Sequence, residues 1–517
     1  MNTRVALLLL ALIIISGGVL RLFGLTSNPP GFFADEAIIG LDAYSLIHTG
    51  ADHAGNSPGF LFPGLGFSLG FIPIISAIPS VYLLGLTEQA VRLPQAIYGT
   101  LSIFLIYAIT KFWFGNKVGL IATFFLAFSP WHVHISRVGM EIMSYYFWFT
   151  LSIWLFLLAL RKPHLLLVAF ISFGVSLYTY NPARLMIPIS LLALLTIYHK
   201  TFFQPQRKMF LTISILSFFL LALPLMQSIL YGNGLDRVKA VSVTTLKMPW
   251  SMQANHVVSA YLNHLSITFL FMSGDIDFPG QFITRHSIRG LGQLYLIQPP
   301  FILIGLLCML RKWRSSNQLA VITLLLLYPL PGALTANINP YATRSIVGIL
   351  PLQILTAIGL VSTITYMRQK SRSLTVVVGS VIAISVAVSL LSFFQAWQRY
   401  PLYAADFWGW QYGAKETMTY FLTHNNRYDE FYLTDAFNSP NSFITFYDPE
   451  NQCGGKCRIG RFDRFDESKK QLFAVSPNDR EELKKQSIKM NVLHVVQYPN
   501  TQPAFFIGTL KRNLGVN

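Results

Sequence analysis

Eleven apolar stretches of close to 20 residues restrict the fold of this sequence more than any other feature. They run near 5–24, 92–110, 118–135, 141–160, 165–180, 184–199, 209–230, 291–311, 317–336, 345–366 and 374–396. A helix of that length crosses the hydrocarbon core of a bilayer, which is about 30 Å thick. Only 12% of the residues are charged, against roughly 25% in a soluble protein. A soluble enzyme, a disordered chain and a disulfide-framework protein are therefore excluded, and an α-helical polytopic membrane protein is predicted.

Short basic groups between the apolar runs predict the orientation of the chain. Lys and Arg beside membrane spans remain preferentially in the cytoplasm, which places the groups near 4, 111–117, 161–162, 200–208, 311–314 and 368–372 inside, together with the N-terminus. The first run is interpreted as a retained anchor and not a signal peptide, because it is long, lacks a small-residue cleavage site and is followed by Arg21. The net charge is +17, but the basic residues lie in short groups between the apolar runs. This distribution argues against a nucleic-acid partner.

The stretch 58–91 is ambiguous, because four prolines and five glycines interrupt it. A single crossing here would move every later basic loop to the opposite side of the membrane. We therefore expect an even number of crossings, as a re-entrant hairpin or as two short tilted spans. The sequence thus predicts 11–13 transmembrane helices.

Three segments are then extracytoplasmic: 25–60, 231–290 and the tail. We expect a transmembrane catalytic domain over 1–397 and a small soluble α/β domain over 398–517, where short strand-like runs alternate with helix-like charged stretches. Cys453 and Cys457 flank Gly-Gly-Lys, a spacing that allows a small disulfide loop outside the cytoplasm. A metal knuckle would need further ligands, and none are evident nearby. Cys308 falls in a span, where packing is the expected role.

Acidic residues are scarce before residue 399, and this makes them functional candidates. The nine are Asp35, Glu36, Asp42, Asp52, Glu88, Glu141, Asp236, Asp275 and Asp277. The adjacent pair Asp35-Glu36 follows the first span in an aromatic, proline-rich loop. On the first turn of a helix both carboxylates lie near its N-terminus. A carboxylate that is partly desolvated there could act as a general base. The alternative is a solvated helix start, where Asp and Glu are also favoured.

A second group of polar residues lies at Ser129–Glu141. Arg137 and Glu141 are four residues apart, so on a helix they would share a face and could form a local ion pair. His132 and His134 are two apart, which is a poor spacing for a metal site on a helix but a possible one on irregular backbone.

Further basic and aromatic residues lie at the predicted outer ends of spans. They are Tyr180, Arg184, Arg285, His286 and Arg344. Arginine should be depleted on that side, and a guanidinium binds phosphate through two parallel hydrogen bonds. These positions favour a phosphate-bearing lipid ligand, although headgroup anchoring would account for any one of them alone.

These motifs, in this order, resemble the integral-membrane GT-C glycosyltransferases. The branch concerned is glycosyltransferase family 39 and its relatives: protein O-mannosyltransferases, the aminoarabinose transferase of lipid A and RgtA/B/C/D-like enzymes. The matching motifs are Asp35-Glu36, Ala90-Val-Arg-Leu-Pro94, Gly119-Leu-Ile-Ala, Ser129-Pro-Trp-His, Ser136-Arg137 with Glu141, Tyr178-Thr-Tyr-Asn-Pro-Ala-Arg184, Arg285-His286-Ser, Asn339-Pro-Tyr-Ala-Thr-Arg344 and Gln411-Tyr-Gly-Ala-Lys-Glu416. Each is short; together they cover about residues 1–415.

The resemblance implies a sugar donor on a polyprenyl phosphate and transfer on the outer face of the plasma membrane. It implies that Asp35 is the catalytic base, Glu36 its companion and Glu141 a second active-site carboxylate. Arg137 would lie near Glu141 and, with Arg344, would bind the donor phosphate or the substrate. A single base with a phosphate leaving group favours inversion over a retaining double displacement, which would need a nucleophilic carboxylate.

Metal dependence and the acceptor stay open at this stage. Relatives often carry a basic or metal-ligating residue before the second span, where this chain has Asp52-His53; we predict no metal ligands, although the family leaves room for a divalent ion. The acceptor would be a glycan, lipid or protein. A transporter or flippase of a lipid-linked sugar is the alternative function, but it predicts paired repeats and midplane charges that the sequence lacks. A scaffold displaying its tail would leave Asp35-Glu36 unexplained.

Overall fold

The fold is mainly helical, with a small sheet near the end of the chain. The computed structural model describes residues 3–63, 68–232, 234–275 and 285–512; Asp277 lies outside them. In chain order, helices α1 to α21 are Thr3–Leu22, Ala34–Thr49, Phe71–Leu84, Glu88–Phe114, Asn116–Ala127, Pro130–Ser136, Ile142–Ala159, Leu165–Ser176, Ala183–Ile197, His199–Phe202, Lys208–Tyr231, Asp236–Val241, Trp250–Asn263, Gln298–Leu310, Ser316–Leu327, Leu330–Ala333, Ile349–Lys370, Arg372–Ala404, Ala414–Thr423, Pro440–Tyr447 and Pro477–Lys485. Strands β1 to β7 are Leu61–Pro63, Ser68–Gly70, Glu430–Leu433, Cys457–Ile459, Gln471–Val475, Ile488–Gln497 and Pro503–Arg512.

Every apolar run that the sequence predicted as a span contains a helix. Seven helices of the described chain are long and apolar enough to cross a membrane, or eight if α5 and α6, bent by 58° at their junction, form one span. Four further apolar helices, α3, α8, α9 and α14, are shorter. The polytopic helical class is therefore confirmed, while several of the 11–13 predicted spans are short helices continued by turns.

In the ambiguous stretch 58–91, the described residues contain one complete helix, α3, followed by the first turn of α4. Strands β1 and β2 pair as an antiparallel hairpin, and α3 follows with 14 residues. The alternative of two short tilted spans is therefore wrong. The prolines account for the difference: Pro63 ends β1, and Pro73 lies in the first turn of α3, where a missing N–H costs no hydrogen bond.

Glycines allow a close contact between α14 and α17. A Cβ at Gly359 would lie 1.9 Å from the Phe301 carbonyl oxygen, and a Cβ at Gly305 would lie 2.1 Å from that of Leu355. Glycine at both positions lets the two backbones touch, which is how helices associate in lipid. By contrast, α18 exposes a continuous apolar surface, as expected of a helix that faces lipid.

The tail forms the predicted α/β unit. Its five strands have the order β4-β3-β5-β7-β6, parallel among β3, β4 and β5 and antiparallel at β7. Cys453 and Cys457 form a disulfide, so the disulfide loop considered from the sequence is present. The hydrophobic core of this unit continues without a break into α2 and α3, and the Phe32 and Phe446 rings lie 4.7 Å apart. The tail therefore packs directly on the helix that carries Asp35.

Candidate active site

One cavity of about 620 Å³ brings together most of the predicted site residues. It lies where the first turn of α2, the start of α7 and the start of α9 meet segments 234–244, 285–286 and 331–344. The predicted residues that line it are Asp35, Glu141, Tyr180, Arg184, Arg285, His286 and Arg344. Glu36 and Arg137 do not line it. The cavity thus combines two carboxylates with several arginines.

Asp35 reaches the cavity from the first turn of α2. Within the described parts of the chain, its carboxylate makes no hydrogen bond or ion pair, and the side chain is partly exposed. Burial raises the pKa of Asp35, and the opposite effects of Arg285 and Arg237 are smaller. The carboxylate is therefore a better proton acceptor than an ordinary Asp, and its lone pairs are available to a ligand.

Glu36, the next residue, points away from the cavity into the protein. Its side chain accepts hydrogen bonds from the backbone N–H groups of Phe33, at 3.0 Å, and Gly139, at 2.7 Å. It also forms an ion pair with Arg92, in which both side chains are fully buried. Because successive helical residues point about 100° apart, one carboxylate of the pair faces the cavity and the other holds the loop.

Arg92 completes this arrangement from α4. Its guanidinium donates to both oxygens of Glu36 and to three carbonyl groups of the loop, those of Leu25, Pro29 and Gly31. The sequence marked Arg92 only as part of a motif and did not predict this partner, since the two residues are 56 positions apart.

Glu141 is the second carboxylate in the cavity; it precedes the first residue of α7, and its side chain makes no capping hydrogen bond there. Burial, with the charge of Asp35 as the next cause, raises the pKa of Glu141 to about 7. The local ion pair with Arg137 considered from their spacing does not form, because α6 ends at Ser136 and α7 begins at Ile142. Arg137 instead donates to carbonyl groups of the first span and the loop after it, those of Leu20, Arg21, Gly24 and Asn28.

Two of the cavity arginines, Arg285 and Arg344, lie over aromatic rings. The guanidinium of Arg285 lies 3.5 Å from the centre of the Phe33 ring. The guanidinium of Arg344 lies 4.0 Å from the centre of the Tyr341 ring. Arg344 also donates to Thr335 Oγ1 at 2.9 Å. Stacking of this kind orients a guanidinium and leaves most of its N–H donors for another acceptor. Tyr180 hydrogen-bonds with Thr343 on the same wall.

Two residues near the cavity are absent from the predicted site, although Asp275 is one of the nine scarce acidic residues. Arg237 lines the cavity from α12; as a basic residue in a predicted outer segment it carried the same signal as the arginines that were chosen. Asp275 lies 3.2 Å from His286 Nδ1 and accepts a hydrogen bond from the Ala342 N–H. Burial raises the pKa of Asp275. Nothing local in the sequence links it to His286.

The other histidines considered for metal binding have protein partners. His132 Nδ1 lies 2.8 Å from Arg21 Nη2, and His134 Nε2 lies 2.7 Å from the Arg285 carbonyl oxygen. His53 pairs with Asp42 at 2.5 Å, not with Asp52. Within the described ranges, no group of three or more His, Cys, Asp or Glu residues is arranged to hold a metal ion.

Comparison with known proteins agrees with the resemblance seen in the sequence. Residues 74–226 match the family described as dolichyl-phosphate-mannose-protein mannosyltransferase. "Putative mannosyltransferase YkcB" of Bacillus subtilis (strain 168) is 35% identical over 102 residues, or 19% of this chain and 14% of that protein.

Solved structures match over much more of the chain. ArnT from Cupriavidus metallidurans bound to undecaprenyl phosphate is 11% identical, with a TM-score of 0.56 over 98% of each chain. The oligosaccharyltransferase AglB from Archaeoglobus fulgidus, in complex with an inhibitory peptide and a dolichol-phosphate, is 12% identical, with a TM-score of 0.53 over 86% of this chain and 63% of that one. The predicted GT-C fold is therefore confirmed. The chain spans only about a seventh of the curated relative that it matches.

Proposed function

We propose that this chain, a GT-C membrane protein similar to glycosyltransferase family 39, transfers a sugar from a polyprenyl phosphate to an acceptor hydroxyl. The cavity that joins the carboxylate of Asp35 to Arg184, Arg285 and Arg344 carries this proposal. A sugar phosphate ester needs positive charge at its leaving group and a base at its acceptor, and the cavity offers both. The ArnT structure named above, bound to undecaprenyl phosphate, supports a lipid-phosphate donor.

In the proposed reaction, Asp35 takes the proton of the acceptor hydroxyl as its oxygen attacks the anomeric carbon. The bond from that carbon to the phosphate oxygen breaks on the opposite face, and the configuration inverts. The lipid phosphate leaves as an anion that the arginines stabilise electrostatically. Glu141, whose pKa of about 7 leaves it partly protonated at neutral pH, would donate a hydrogen bond to the sugar or phosphate.

The remaining parts of the proposal concern location and partners. The N-terminus is cytoplasmic, and the cavity and the domain over 398–517 lie on the outer face of the plasma membrane, in contact with membrane lipids. The acceptor is a glycan, lipid or protein. This orientation follows from the basic loops and would be checked by the accessibility of single introduced cysteines in intact cells.

The test is transfer of labelled sugar by the purified chain in nanodiscs. The donors are polyprenyl phosphates carrying mannose, glucose or galactose, and the acceptors are membranes from cells that lack the protein. Asp35→Asn should lower transfer by about 10²- to 10⁴-fold while binding of undecaprenyl phosphate is retained. Asp236→Asn is the matched control, because it makes the same charge change in the first turn of α12 without lining the cavity.

Two results would contradict the proposal. Unchanged turnover in folded Asp35→Asn would remove the base from the mechanism. Transbilayer movement of a lipid-linked sugar without transfer from any donor would support the transporter alternative.

A further inference from the structure

A short segment of the tail crosses the loop that leads into the catalytic helix. This segment, residues 409–413, is called the strap here; it lies between α18 and α19. The Trp410 carbonyl accepts a hydrogen bond from the Phe32 N–H at 2.9 Å. The Gly409 carbonyl accepts one from Arg285 Nη1 at 3.1 Å. The strap therefore contacts both the loop before Asp35 and an arginine of the cavity.

Gln411 makes the most specific contact of the strap. Its Oε1 accepts a hydrogen bond from the Ala34 N–H at 3.0 Å, across 377 residues of sequence. The first N–H groups of a helix have no partner within the helix. At the start of α2 the N-cap residue is Phe33, whose side chain makes no capping hydrogen bond. Gln411 therefore supplies from the tail a cap for the helix that presents Asp35.

The same side chain is anchored in the tail domain. Gln411 Nε2 donates to the Asn438 carbonyl at 2.8 Å, two residues before α20. The residue is 1% exposed, and its φ of 47° lies in the left-handed region. A non-glycine residue there is strained, and such strain persists only where surrounding contacts enforce it. Here those contacts are the two hydrogen bonds of the side chain.

The backbones of the strap and of the loop before α2 lie too close together to admit a side chain between them. A Cβ added at Gly31 would lie 2.6 Å from the Trp410 carbonyl oxygen, and Gly31 itself has a φ of 71°. Loop and strap thus pack backbone against backbone, and the register between them is set.

We propose that Gln411 is a positioning residue through which the C-terminal domain holds the start of α2, and with it Asp35, in its reactive position. The proposal rests on the proposed function of Asp35 as the base. It gives the C-terminal domain a part in catalysis: the domain completes the active site, and does not serve only to bind an acceptor.

The experiment compares Gln411→Met, Gln411→Glu and the control Gln471→Met in the full chain in nanodiscs. Gln471 is also a buried glutamine of the tail with hydrogen bonds from both ends of its amide, but its partners lie within the tail. Hydrogen exchange is measured on a peptide covering residues 31–36, and kcat and KM are measured separately. Met removes both hydrogen bonds of Gln411, whereas Glu retains an acceptor for Ala34.

Gln411→Met should speed exchange in residues 31–36 and lower kcat by about 10- to 100-fold with little change in KM, because a misplaced base costs rate more than binding. Gln411→Glu keeps the acceptor for Ala34 but loses the donor to Asn438, so its exchange should lie between that of Gln411→Met and that of the wild type. Gln471→Met should exchange there as the wild type does. The proposal is overturned if Gln411→Met matches Gln471→Met in both exchange and kcat. If the wild type transfers no sugar, the proposed function fails, and exchange alone then decides whether Gln411 orders the loop.

Discussion

The buried pair of Glu36 and Arg92 provides a quantitative test of how the loop before α2 is held. The structure places both side chains entirely out of solvent, with Arg92 Nε 2.8 Å from Glu36 Oε1. Replacing Arg92 by Met leaves the carboxylate of Glu36 buried with only backbone donors. It also removes the donors to three loop carbonyl groups.

The expected cost follows from these contacts. Leaving one member of a buried ion pair without its partner costs about 3–5 kcal/mol, and each buried carbonyl left without a donor adds about 1 kcal/mol or more. Arg92→Met should therefore cost at least about 5 kcal/mol. Glu36→Gln leaves Arg92 as an unpaired buried charge and should cost about 3–5 kcal/mol. The double variant should cost clearly less than the sum, because neither charge remains.

The measurement is unfolding in mixed micelles with increasing SDS, followed by tryptophan fluorescence. Lys415→Met is the matched control: it removes the cation from the Glu88 ion pair, in which the lysine is 50% exposed, and should cost about 1 kcal/mol or less. The reasoning is wrong if Arg92→Met costs no more than Lys415→Met, or if the costs of the two single changes simply add in the double variant.

Three further predictions concern other parts of the chain. Because burial raises the pKa of Glu141 from 4.5 to about 7, its protonation stabilises the fold fully below about pH 4.5. As the pH rises through 7 this contribution is lost, and the free energy of unfolding falls by about 3 kcal/mol in all. The melting temperature should fall over the same pH range, and Glu141→Gln should flatten this dependence. Gly359→Ala should lower the melting temperature sharply. Gly379→Ala is the control, because nothing lies within 4 Å of its added Cβ, and it should leave the melting temperature unchanged or higher. Equal effects of the two substitutions would contradict the packing argument. Replacing Cys453 and Cys457 by Ser opens a loop with a sequence separation of 4 and should cost about 2 kcal/mol of stability without loss of transfer, as measured by melting and by the transfer assay.

Local patterns in the sequence were sufficient to predict the helices and the position of Asp35 and Glu36 on the first turn of one of them. Apolar runs of span length became helices because membrane interiors leave a backbone no other partner. Asp35 and Glu36 fall in the first turn of a helix as expected, because acidic residues are favoured where backbone N–H groups are unpaired. The alternation of short strands with charged helices in the tail likewise predicted the α/β unit, since those periodicities are local.

Contacts between distant segments could not be predicted in this way. The spacing of Arg137 and Glu141 suggested a shared helical face, but Gly139 lies between two helices, where its N–H is taken by Glu36. The cap that Gln411 provides for α2 crosses 377 residues, and no pattern within either segment indicates it. Residues that hold the site were therefore harder to find than residues that line it.

The arginines show why a rare charge in the sequence does not by itself identify a ligand site. Arg137 was predicted to bind the donor phosphate or the substrate, yet its N–H groups, like those of Arg92, donate to carbonyl groups of the first span and of the loop after it. Arg344, by contrast, makes a single hydrogen bond to a side chain among the described residues and lies over an aromatic ring at the cavity wall. A guanidinium whose donors are already satisfied gains nothing from a phosphate, whereas one held by stacking keeps its donors for it. The count of satisfied donors, and not the presence of charge, therefore separates Arg92 and Arg137, which hold the loop before α2, from Arg344, which we propose as a ligand of the donor phosphate.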